Sequence, residues 1–515
     1  NFSDAVRAYQ ADPTKETLKE QTAALRGEMT LNEKIYMLSG HPLVQVQKDM
    51  IKTGRNYNVH ALPAGGCKRL GVPPVLFTDG PRGVVMGNST CFPVSMLRAS
   101  AFDPELEYRF GKAIADEAIA QGANYYAGVC INLVRNPRWG RTQETYGEDP
   151  FLLGEYGAAL TKSVQEEGMI ACPKHFALNS IEDLRFYVDV HCDDRTLHEV
   201  YLPHFKKCID AGALSIMGAY NRYEESYCCG SKKLLTDILR DEWGFDGYVV
   251  SDWGAVNNRV LGMKNGNDLE MPSSSGSGTK KIVEAVKNGE LDEAILDERA
   301  LNILNLMKKC VDGAKDNYEY NNIDDQENAR NIAANCMVLM KNNGILPLDT
   351  SKKIAVIGAL AKTPRYQGAG SSHIVPTQLD NAYDELVKLG VQAEYAQGYE
   401  TLKKKAKNNP KLLMEALNLA QTVDTVVVFI GLTDEYEAEG YDRTHMKLPQ
   451  EQITLVEAIE NVNSNVVVVL AGGSPVELPF DDKASAILNS YLGGQAGGGA
   501  VADILTGKVN PSGKL

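Results

Sequence analysis

The sequence predicts an α/β protein of two domains, a (β/α)8-type, TIM-like barrel followed by an α/β sandwich with a mostly parallel sheet. Residues 73–272 alternate short apolar runs with longer amphipathic stretches, which is typical of repeated βα units. Residues 354–488 contain four further apolar runs that end on or near glycine, which indicates a second parallel sheet. With 515 residues, the chain also exceeds the roughly 250–300 residues at which single cores stop growing.

The predicted barrel domain, residues 1–312, begins with helical periodicity over residues 14–38. Within that stretch, Thr30-Leu31-Asn32-Glu33 is a capping-box pattern that predicts a new helix after Met29. The strands predicted after it are 75–77, 169–171, 214–217 and 248–250. The helices predicted between the strands are 104–121, 153–167, 197–211 and 232–241.

Polar or ionisable residues directly follow the apolar runs of this domain. They are Thr78-Asp79, residues 132–135, Lys174-His175, Tyr220-Asn221, Ser251-Asp252 and residues 268–270. In a βα barrel the active site is built from the loops at the carboxyl ends of the strands. We therefore expect a site on this face of the barrel, although a solvated loop is also polar.

A polar, apolar-poor stretch over residues 313–325 predicts a linker, and residues 326–515 form the predicted sandwich domain. A helix is predicted over residues 328–342. The strands predicted after it are 354–357, 425–430, 466–470 and 486–488. Because these runs are apolar throughout, they predict a sheet that helices cover on both faces.

The charge balance restricts the class of partner. There are 53 Lys and Arg against 67 Asp and Glu, a net charge of −14. We expect neither nucleic acid nor a membrane surface as a partner, because both require basic patches. The histidines show no HxH or HExxH spacing, which gives a metal site little support. Homo-oligomerisation stays open, and so does the compartment, cytoplasmic or secreted, because the first residue, Asn1, is compatible with a processed N-terminus.

Asp252 is the first of two carboxylates that stand out. It follows the apolar run 248–250 and precedes Trp253, which places it at the mouth of a buried strand beside an aromatic ring. A carboxylate held there is partly desolvated and well oriented, as a nucleophile or base must be. An N-cap of the next helix explains the same position equally well.

Glu439 is the second carboxylate, in a loop that follows the predicted strand 425–430. The loop also contains Asp434, Glu435, Glu437 and Asp442. Crowded carboxylates raise one another's pKa, and a general acid at neutral pH requires a raised pKa. A solvated acidic loop is the alternative interpretation, and charge alone favours it.

Taken in order, a set of motifs along nearly the whole chain resembles glycoside hydrolase family 3, most closely its β-glucosidase branch. The motifs are Thr78-Asp79-Gly80-Pro81, Arg135-Asn136-Pro137, Gly140-Arg141, Gly147-Glu148-Asp149-Pro150, Lys174-His175-Phe176, Ser251-Asp252-Trp253 and Glu439-Gly440-Tyr441-Asp442-Arg443.

The resemblance implies a retaining, exo-acting β-glucosidase that hydrolyses terminal non-reducing β-D-glucosyl residues by double displacement, without a cofactor or a metal. Asp252 would be the catalytic nucleophile and Glu439 the catalytic acid/base, with their carboxyl groups about 5–5.5 Å apart. The implied substrate-binding residues are Asp79, Arg135, Lys174, His175, Arg185, Tyr220 and Trp253. The substrate would be a small-molecule β-glucoside or an oligosaccharide.

Other charged residues near these motifs are interpreted as structural. Glu270 is expected to support the site rather than to react. A charged network is expected to hold one barrel loop, and its members are Arg138, Arg141, Glu144, Glu148 and Asp149.

Two departures from the family pattern leave part of the function open. Many members carry an Arg six residues after the Asp of the Asp-Gly-Pro motif, where this chain has Val85 and, nearby, Arg82. A β-xylosidase or a broad-specificity β-glycosidase is therefore the alternative enzyme, and a non-catalytic carbohydrate-binding protein is the alternative of a different class. Relatives usually continue beyond the position of Leu515 into a small β-sandwich domain, which we expect in the full polypeptide.

Overall fold

The structure is a computed structural model that describes residues 1–274, 276–305, 322–400 and 409–515. The helices of the first part of the chain are α1 (Phe2–Ala11), α2 (Lys15–Gly27), α3 (Leu31–Met37), α4 (Leu43–Thr53), α5 (Ser95–Ala99), α6 (Pro104–Ala120), α7 (Pro150–Glu166), α8 (Asp194–Thr196), α9 (Pro203–Asp210), α10 (Arg259–Asn265), α11 (Ser277–Lys287) and α12 (Glu293–Leu304). Two π-helical segments cover Leu197–Tyr201 and Lys233–Glu242. The second part contains α13 (Asn322–Cys336), α14 (Ala382–Lys388), α15 (Pro410–Ala420), α16 (Gln450–Glu460) and α17 (Gly497–Leu505).

The strands of the first part form a TIM-like barrel, as predicted. They are β1 (Leu62–Ala64), β2 (Val75–Asp79), β3 (Tyr125–Cys130), β4 (Ile170–Phe176), β5 (Asp189–Val190), β6 (Ser215–Gly218), β7 (Arg222–Tyr223), β8 (Ser226–Tyr227) and β9 (Tyr248–Ser251). The main sheet has the order β1-β2-β3-β4-β6-β9, parallel except that β1 runs antiparallel to β2. The ring closes because Leu269 pairs with Val250, Glu270 pairs with Ser39, and Gly65 N donates to Ser39 O at 3.0 Å.

Alternate strand residues face the two sides of the barrel wall. Tyr248 and Val250 pack in the inner cluster with Phe77, whereas Val249 packs with residues of the surrounding helices. This alternation follows from the two-residue period of a strand. The long helices α6 and α7 each begin with a capping Asp followed by Pro, which starts a helix efficiently.

The second sheet has the order β10-β15-β14-β13-β11-β12. Its strands are β10 (Val338–Asn342), β11 (Ile354–Ile357), β12 (Ala393–Ala396), β13 (Thr425–Gly431), β14 (Val466–Ala471) and β15 (Ala486–Asn489). All neighbours are parallel except β10 and β15. The central strands are buried along almost their whole length, as their apolar sequences predict.

The predicted helix over residues 328–342 was wrong at its end. Helix α13 ends at Cys336, and residues 338–342 instead form β10, which pairs antiparallel with β15. Val338 is buried while Met340 is exposed, so the apolar residues here fit a strand at the edge of the sheet. A run this short fits the residue period of a helix as well as that of a strand, and pairing with β15 makes it a strand.

The predicted linker lies mostly outside the described residues. Residues 313–321 belong to the part of the chain that is not described, and residues 322–325 are in the first turns of α13. The domain boundaries at 312 and 326 therefore stay a prediction. Within the described residues, no helix combines the length and the apolar character needed to cross a bilayer.

A buried ion pair joins α5 to α6 behind the barrel mouth. Arg98 and Glu107 are both fully buried, with 2.7 Å between Arg98 Nε and Glu107 Oε2 and 2.8 Å between Arg98 Nη2 and Glu107 Oε1. The hydroxyl of Tyr146 donates to the same carboxylate at 2.6 Å. Glu107 Oε2 thus depends on Arg98 for its hydrogen bond, while Oε1 also accepts from Tyr146.

Replacing Arg98 by Met leaves the Glu107 charge buried with one hydroxyl donor. We expect the free energy of unfolding to fall by about 3–5 kcal/mol, measured from denaturant midpoints and slopes. The control is Lys112→Met in the same helix. Lys112 pairs with Glu167 but its side chain is 57% exposed, so this replacement should lower the free energy of unfolding by less than about 1 kcal/mol. Equal losses in the two variants would contradict this account.

Candidate active site

The carboxyl ends of β2, β4 and β9 bring four polar side chains together at the barrel mouth. Asp79 ends β2, Lys174 and His175 lie in β4, and Asp252 follows β9; all four are buried. Parallel strands end on one face, which is why residues so far apart in sequence meet. The register of β4 against β6 shifts between Lys174 and Phe176, and Lys174 and His175 both reach the cluster.

Asp79 and Lys174 form a closed ion pair. Lys174 Nζ lies 2.7 Å from Asp79 Oδ1, and the Tyr57 hydroxyl donates to Asp79 Oδ2 at 2.6 Å. Burial lowers the pKa of Lys174, but the charge of Asp79 outweighs burial and holds that pKa above its ordinary value. Lys174 is therefore charged, and a buried charged group of this kind gives strong hydrogen bonds to hydroxyl groups.

One carboxylate oxygen of Asp252 accepts a hydrogen bond, and the other does not. Trp253 N donates to Asp252 Oδ1 at 2.7 Å, whereas the buried Oδ2 has no hydrogen-bond partner within the described chain. Burial raises the pKa of this carboxyl, and the charges of Arg141, Lys174 and Arg185 oppose that rise. A buried, oriented carboxylate with a free lone pair is suited to nucleophilic attack.

His175 approaches Asp252 but does not form an ion pair with it. The ring Nε2 lies 3.5 Å from Asp252 Oδ2, while Nδ1 lies 3.0 Å from Asn132 Oδ1. Burial, then the charges of Arg141 and Lys174, hold the pKa of His175 well below its ordinary value. The imidazole is neutral, and we assign its proton to Nδ1 because Asn132 Oδ1 accepts it.

Glu439 enters the site from the second part of the chain, on a loop after β13 that we call the Glu439 loop (residues 434–443). Arg185 Nη1 lies 2.9 Å from Glu439 Oε1, and Arg141 Nη1 lies 3.7 Å from the same oxygen. The backbone N–H of Ser371 donates to Oε2 at 2.7 Å. The Glu439 carboxylate is thus held by groups from both parts of the chain.

The pKa of Glu439 is lowered, not raised as the acidic loop predicted. Burial raises this pKa, but Arg141, Arg185 and the hydrogen bonds from Ser371 together bring it well below its ordinary value. The prediction was wrong because the other loop carboxylates turn away. Glu437 pairs with Arg365 and accepts from Ser474 and Gly473 N, and Asp442 accepts the backbone N–H groups of Gly140, Glu182 and Asp183.

An aromatic wall borders Asp252. The rings of Tyr57 and Trp253 have centroids 4.7 Å apart, and the Trp253 ring contacts Phe77 at 5.9 Å. On the other side, the Tyr220 hydroxyl donates to Trp253 O at 3.1 Å, and the Arg185 guanidinium lies over the Tyr220 ring at 4.7 Å. Such rings offer apolar faces to a flat, hydroxylated ligand.

Eight of the nine predicted site residues are therefore brought together, and Arg135 is not. Its side chain is exposed and interacts with the Tyr201 hydroxyl. Arg141, interpreted from sequence as structural, takes its place: it pairs with Glu144 at 2.6 Å and also reaches His175 and Glu439. Of these two arginines, only the buried Arg141 lies beside the buried carboxylates.

A sequence signal for Arg141 was available in the preceding residue, Gly140. A Cβ at Gly140 would lie 2.1 Å from Tyr441 O and 2.2 Å from Ala438 O. The backbone before Arg141 thus packs directly on the Glu439 loop, and a glycine often marks such a close approach. The other contacting residues that sequence missed, Tyr57, Glu182 and Ser371, carry no motif that singles them out.

The arrangement offers two buried carboxylates of different character that have Arg141 and Arg185 as common neighbours. Asp252 has a free oxygen, and Glu439 lies between two guanidinium groups. The described parts of the chain contain no group of three or more His, Cys, Asp or Glu arranged to hold a metal ion. The chemistry that these residues themselves support is nucleophilic attack by one carboxylate with proton transfer by the other.

Two family models match the chain. The Glycosyl hydrolase family 3 N terminal domain matches residues 52–306, and the Glycosyl hydrolase family 3 C-terminal domain matches residues 337–515. Thermostable beta-glucosidase B of Acetivibrio thermocellus is 46% identical over 466 residues, 87% of this chain and 62% of that protein. An exo-alpha-(1->6)-L-arabinopyranosidase of Bifidobacterium longum is 37% identical over 97% of this chain and 66% of its own length. The chain thus spans less than two thirds of both relatives.

Solved structures give the same result for the fold. A family 3 beta-glucosidase of Bifidobacterium adolescentis superposes with a TM-score of 0.87 at 37% identity, over 95% of this chain and 70% of that one. Beta-glucosidase 3B of Thermotoga neapolitana, solved in complex with glucose, has a TM-score of 0.87 at 30% identity, over 96% and 75% of the two chains. The barrel and the sandwich are therefore shared with these enzymes.

Neutralising Glu439 should destabilise the fold in a pH-dependent way. A lowered folded-state pKa means that ionised Glu439 contributes stability above its ordinary pKa of 4.5, which is lost as pH falls further. Glu439→Gln should therefore lower the free energy of unfolding by about 1–3 kcal/mol at pH 7 and by less near pH 3.5. Denaturant unfolding at both pH values measures the difference.

The matched control is Asp434→Asn in the same loop. Asp434 is 64% exposed and pairs with Arg365 at 3.0 Å, so its replacement should cost less than about 1 kcal/mol. A cost for Glu439→Gln that does not shrink at low pH would contradict the lowered pKa.

Proposed function

The chain belongs to glycosyl hydrolase family 3, and on that premise we propose that it is a retaining, exo-acting β-glucosidase. One observation carries the proposal: Asp252, a buried carboxylate with a free oxygen, has the same neighbouring cations, Arg141 and Arg185, as Glu439, a second carboxylate that the other part of the chain supplies. The substrate is a small-molecule β-glucoside or an oligosaccharide, cleaved at its non-reducing end.

In the first step, Asp252 Oδ2 attacks the anomeric carbon while the bond to the glycosidic oxygen breaks. Glu439 gives its proton to that oxygen, so the aglycone leaves as a neutral alcohol. In the second step, Glu439 takes a proton from water, water attacks the same carbon, and Asp252 is released. Two inversions give net retention of the anomeric configuration.

The remaining site residues hold the sugar. The Asp79–Lys174 pair and neutral His175 bind hydroxyl groups remote from the reacting carbon, and Trp253 and Tyr220 cover the ring faces. Arg141 takes the binding role predicted for Arg135, because Arg141 is buried at the carboxylates. These contacts strengthen as positive charge develops on the sugar, which lowers the barrier.

Glu439 must gain a proton before the first step, although its pKa is lowered in the free protein. In the free protein Arg185 Nη1 donates to Glu439 Oε1 at 2.9 Å. When the glycoside binds, a sugar hydroxyl accepts this hydrogen bond in place of Glu439. Removing that cation from Glu439 raises its pKa. Substrate binding and protonation of the acid are then one coupled event.

A pentopyranosidase is the second candidate. Val85 is apolar and is buried against Cys91 and Ile374. The guanidinium of Arg82 already donates hydrogen bonds to Gln143, Gln367, Gly368 O and Ser372. Neither residue therefore places a free cation beside the sugar. A relative at 37% identity is named an arabinopyranosidase, and that pentose lacks the hydroxymethyl group of glucose. Relative kcat/KM values for aryl β-glucoside, β-xyloside and α-L-arabinopyranoside decide between the sugars.

Variants of the two carboxylates test the mechanism. Asp252→Ala should lower kcat by roughly four orders of magnitude or more, because no nucleophile remains. Glu439→Ala should still form the glycosyl-enzyme from a dinitrophenyl glucoside, and azide should speed its breakdown to the β-glucosyl azide. Mass spectrometry after reaction with 2-deoxy-2-fluoro-β-glucosyl fluoride should place one fluoroglucosyl group on the peptide that contains Asp252.

The matched control is Glu270→Gln, a buried carboxylate near the same strand ends that pairs with Arg259 rather than facing Asp252. It should keep the adduct on the Asp252 peptide. Near-normal turnover by Asp252→Ala, or an adduct elsewhere, would refute the mechanism.

Coupled protonation makes a calorimetric prediction. Binding of a non-hydrolysable thio-β-glucoside at pH 7 should take up about one proton, because the ligand raises the pKa of Glu439. Titrations in buffers of different ionisation enthalpy measure the uptake. Glu439→Gln should bind the same ligand without uptake, and equal uptake by both proteins would show that another group is protonated.

A further inference from the structure

Glu182 is a buried carboxylate to which the proposed mechanism gives no role. It lies after β4 in a segment that we call the Glu182 loop (residues 180–188), and its side chain is fully buried. Its oxygens accept three N–H donors: Trp139 Nε1 at 2.9 Å, Gly440 N at 2.9 Å and Arg185 Nη1 at 2.8 Å. Burial raises the pKa of Glu182, while Arg141, Arg185 and the hydrogen bonds from Trp139 and Gly440 oppose that rise. Because all its hydrogen-bond partners are donors, the geometry favours the ionised carboxylate.

One nitrogen of Arg185 lies between two carboxylates. Arg185 Nη1 is 2.8 Å from Glu182 Oε2 and 2.9 Å from Glu439 Oε1. If this guanidinium exchanges Glu439 for a sugar hydroxyl, Glu182 still binds it. Without Glu182, the arginine would have Glu439 as its remaining carboxylate and would leave it less readily.

The bond to Gly440 fixes the backbone next to Glu439. Gly440 has φ +105°, a conformation that glycine adopts readily, and this turns its N–H toward Glu182. Two further contacts align the Glu182 and Glu439 loops. Asp442 accepts Glu182 N at 3.0 Å, and Asp183 Oδ1 accepts Asp442 N at 3.2 Å.

We propose that Glu182 is a positioning residue for the acid/base: it holds the backbone beside Glu439 and retains Arg185 when that guanidinium moves from Glu439 to the sugar. The inference rests on the proposed function, since it takes Glu439 as the acid/base. It adds a residue of the barrel, buried away from the sugar, that determines when Glu439 can bind a proton.

The sign of the effect follows from the charges around Glu439. The groups that face or interact with it are Arg141, Arg185, Glu182, the Ser371 N–H, Tyr57 and Tyr220. Removing the Glu182 charge lowers the pKa of Glu439 in two ways, because one repulsion is lost and Arg185 is left to Glu439 alone. Glu439 then loses its proton at lower pH, in the free enzyme and in the complex.

Glu182→Gln tests this in the full chain. The alkaline limb of kcat/KM for an alkyl β-glucoside, whose leaving group needs a proton, should move down by about one pH unit. The dinitrophenyl glucoside needs no proton, and its kcat/KM at pH 6 should stay within about threefold of wild type. Asp183→Asn is the matched control: it removes the neighbouring charge but keeps an oxygen for Asp442 N, so its limb should not move.

Glu182→Asp keeps the negative charge but shortens the side chain, so it separates the effect of the charge from that of the contacts. It also replaces Glu182→Gln as the test if that variant does not fold. It keeps the charge, so the alkaline limb should stay near the wild-type pH, while the shorter side chain lowers kcat for the alkyl glucoside severalfold. The inference would be overturned if Glu182→Gln lowered kcat/KM equally for both substrates without moving the alkaline limb. Wild-type kinetics in Glu182→Asp would overturn it as well. A wild-type enzyme without hydrolysis or without an alkaline limb would instead refute the proposed function.

Discussion

The contact of Glu439 with Arg185 and Arg141 is the interaction on which the rest of the site depends. It joins a carboxylate of the second part of the chain to two cations of the barrel. The retaining mechanism proposed above needs two carboxyl groups about 5–5.5 Å apart, and Asp252 and Glu439 follow strands of two different sheets. A charged contact between the two parts of the chain supplies an alignment that neither sheet can supply alone. Buried Arg82 adds a separate contact between them, because its Nη2 donates to Gly368 O at 2.9 Å and to Ser372 Oγ at 3.0 Å.

The same contact lowers the pKa of Glu439, although the proposed mechanism requires Glu439 to carry a proton. Asp79 is balanced by Lys174 and Glu144 by Arg141, while Arg185 is divided between Glu182 and Glu439. Of the carboxylates at this site, Asp252 alone keeps an oxygen without a hydrogen bond among the described residues. In the proposed mechanism, the free protein therefore has a nucleophile with an unoccupied oxygen, and the lowered pKa of Glu439 leaves its acid deprotonated. On this proposal, a ligand that accepts hydrogen bonds from Arg185 raises the pKa of Glu439 and leaves Asp252 unchanged, so Glu439 is protonated when the substrate binds.

Much of the fold and most of the site could be predicted from particular residues. The runs 354–357, 425–430 and 466–470 lie within β11, β13 and β14, because a strand buried on both faces has to be apolar throughout. Edge strands gave no such signal, so β10 was predicted as helix. Asp79, Lys174, His175 and Asp252 could be placed together because parallel strands share one carboxyl end. Arg135 and Arg141 could not be ranked, since their difference is burial, which local sequence does not contain.

The sequence by itself determined the strand and helix pattern, the face that carries the polar residues and the two carboxylates that stand out. Local periodicity and strand-end chemistry are sufficient for these, because both are written within a few neighbouring residues. Tertiary structure decided the protonation of Glu439, the neutrality of His175 and the contacts of Glu182. Those depend on groups that folding brings together, such as Arg185 and Glu439, which are 254 positions apart in the chain but 2.9 Å apart in space. A pKa follows distance in space, and only the folded chain sets that distance.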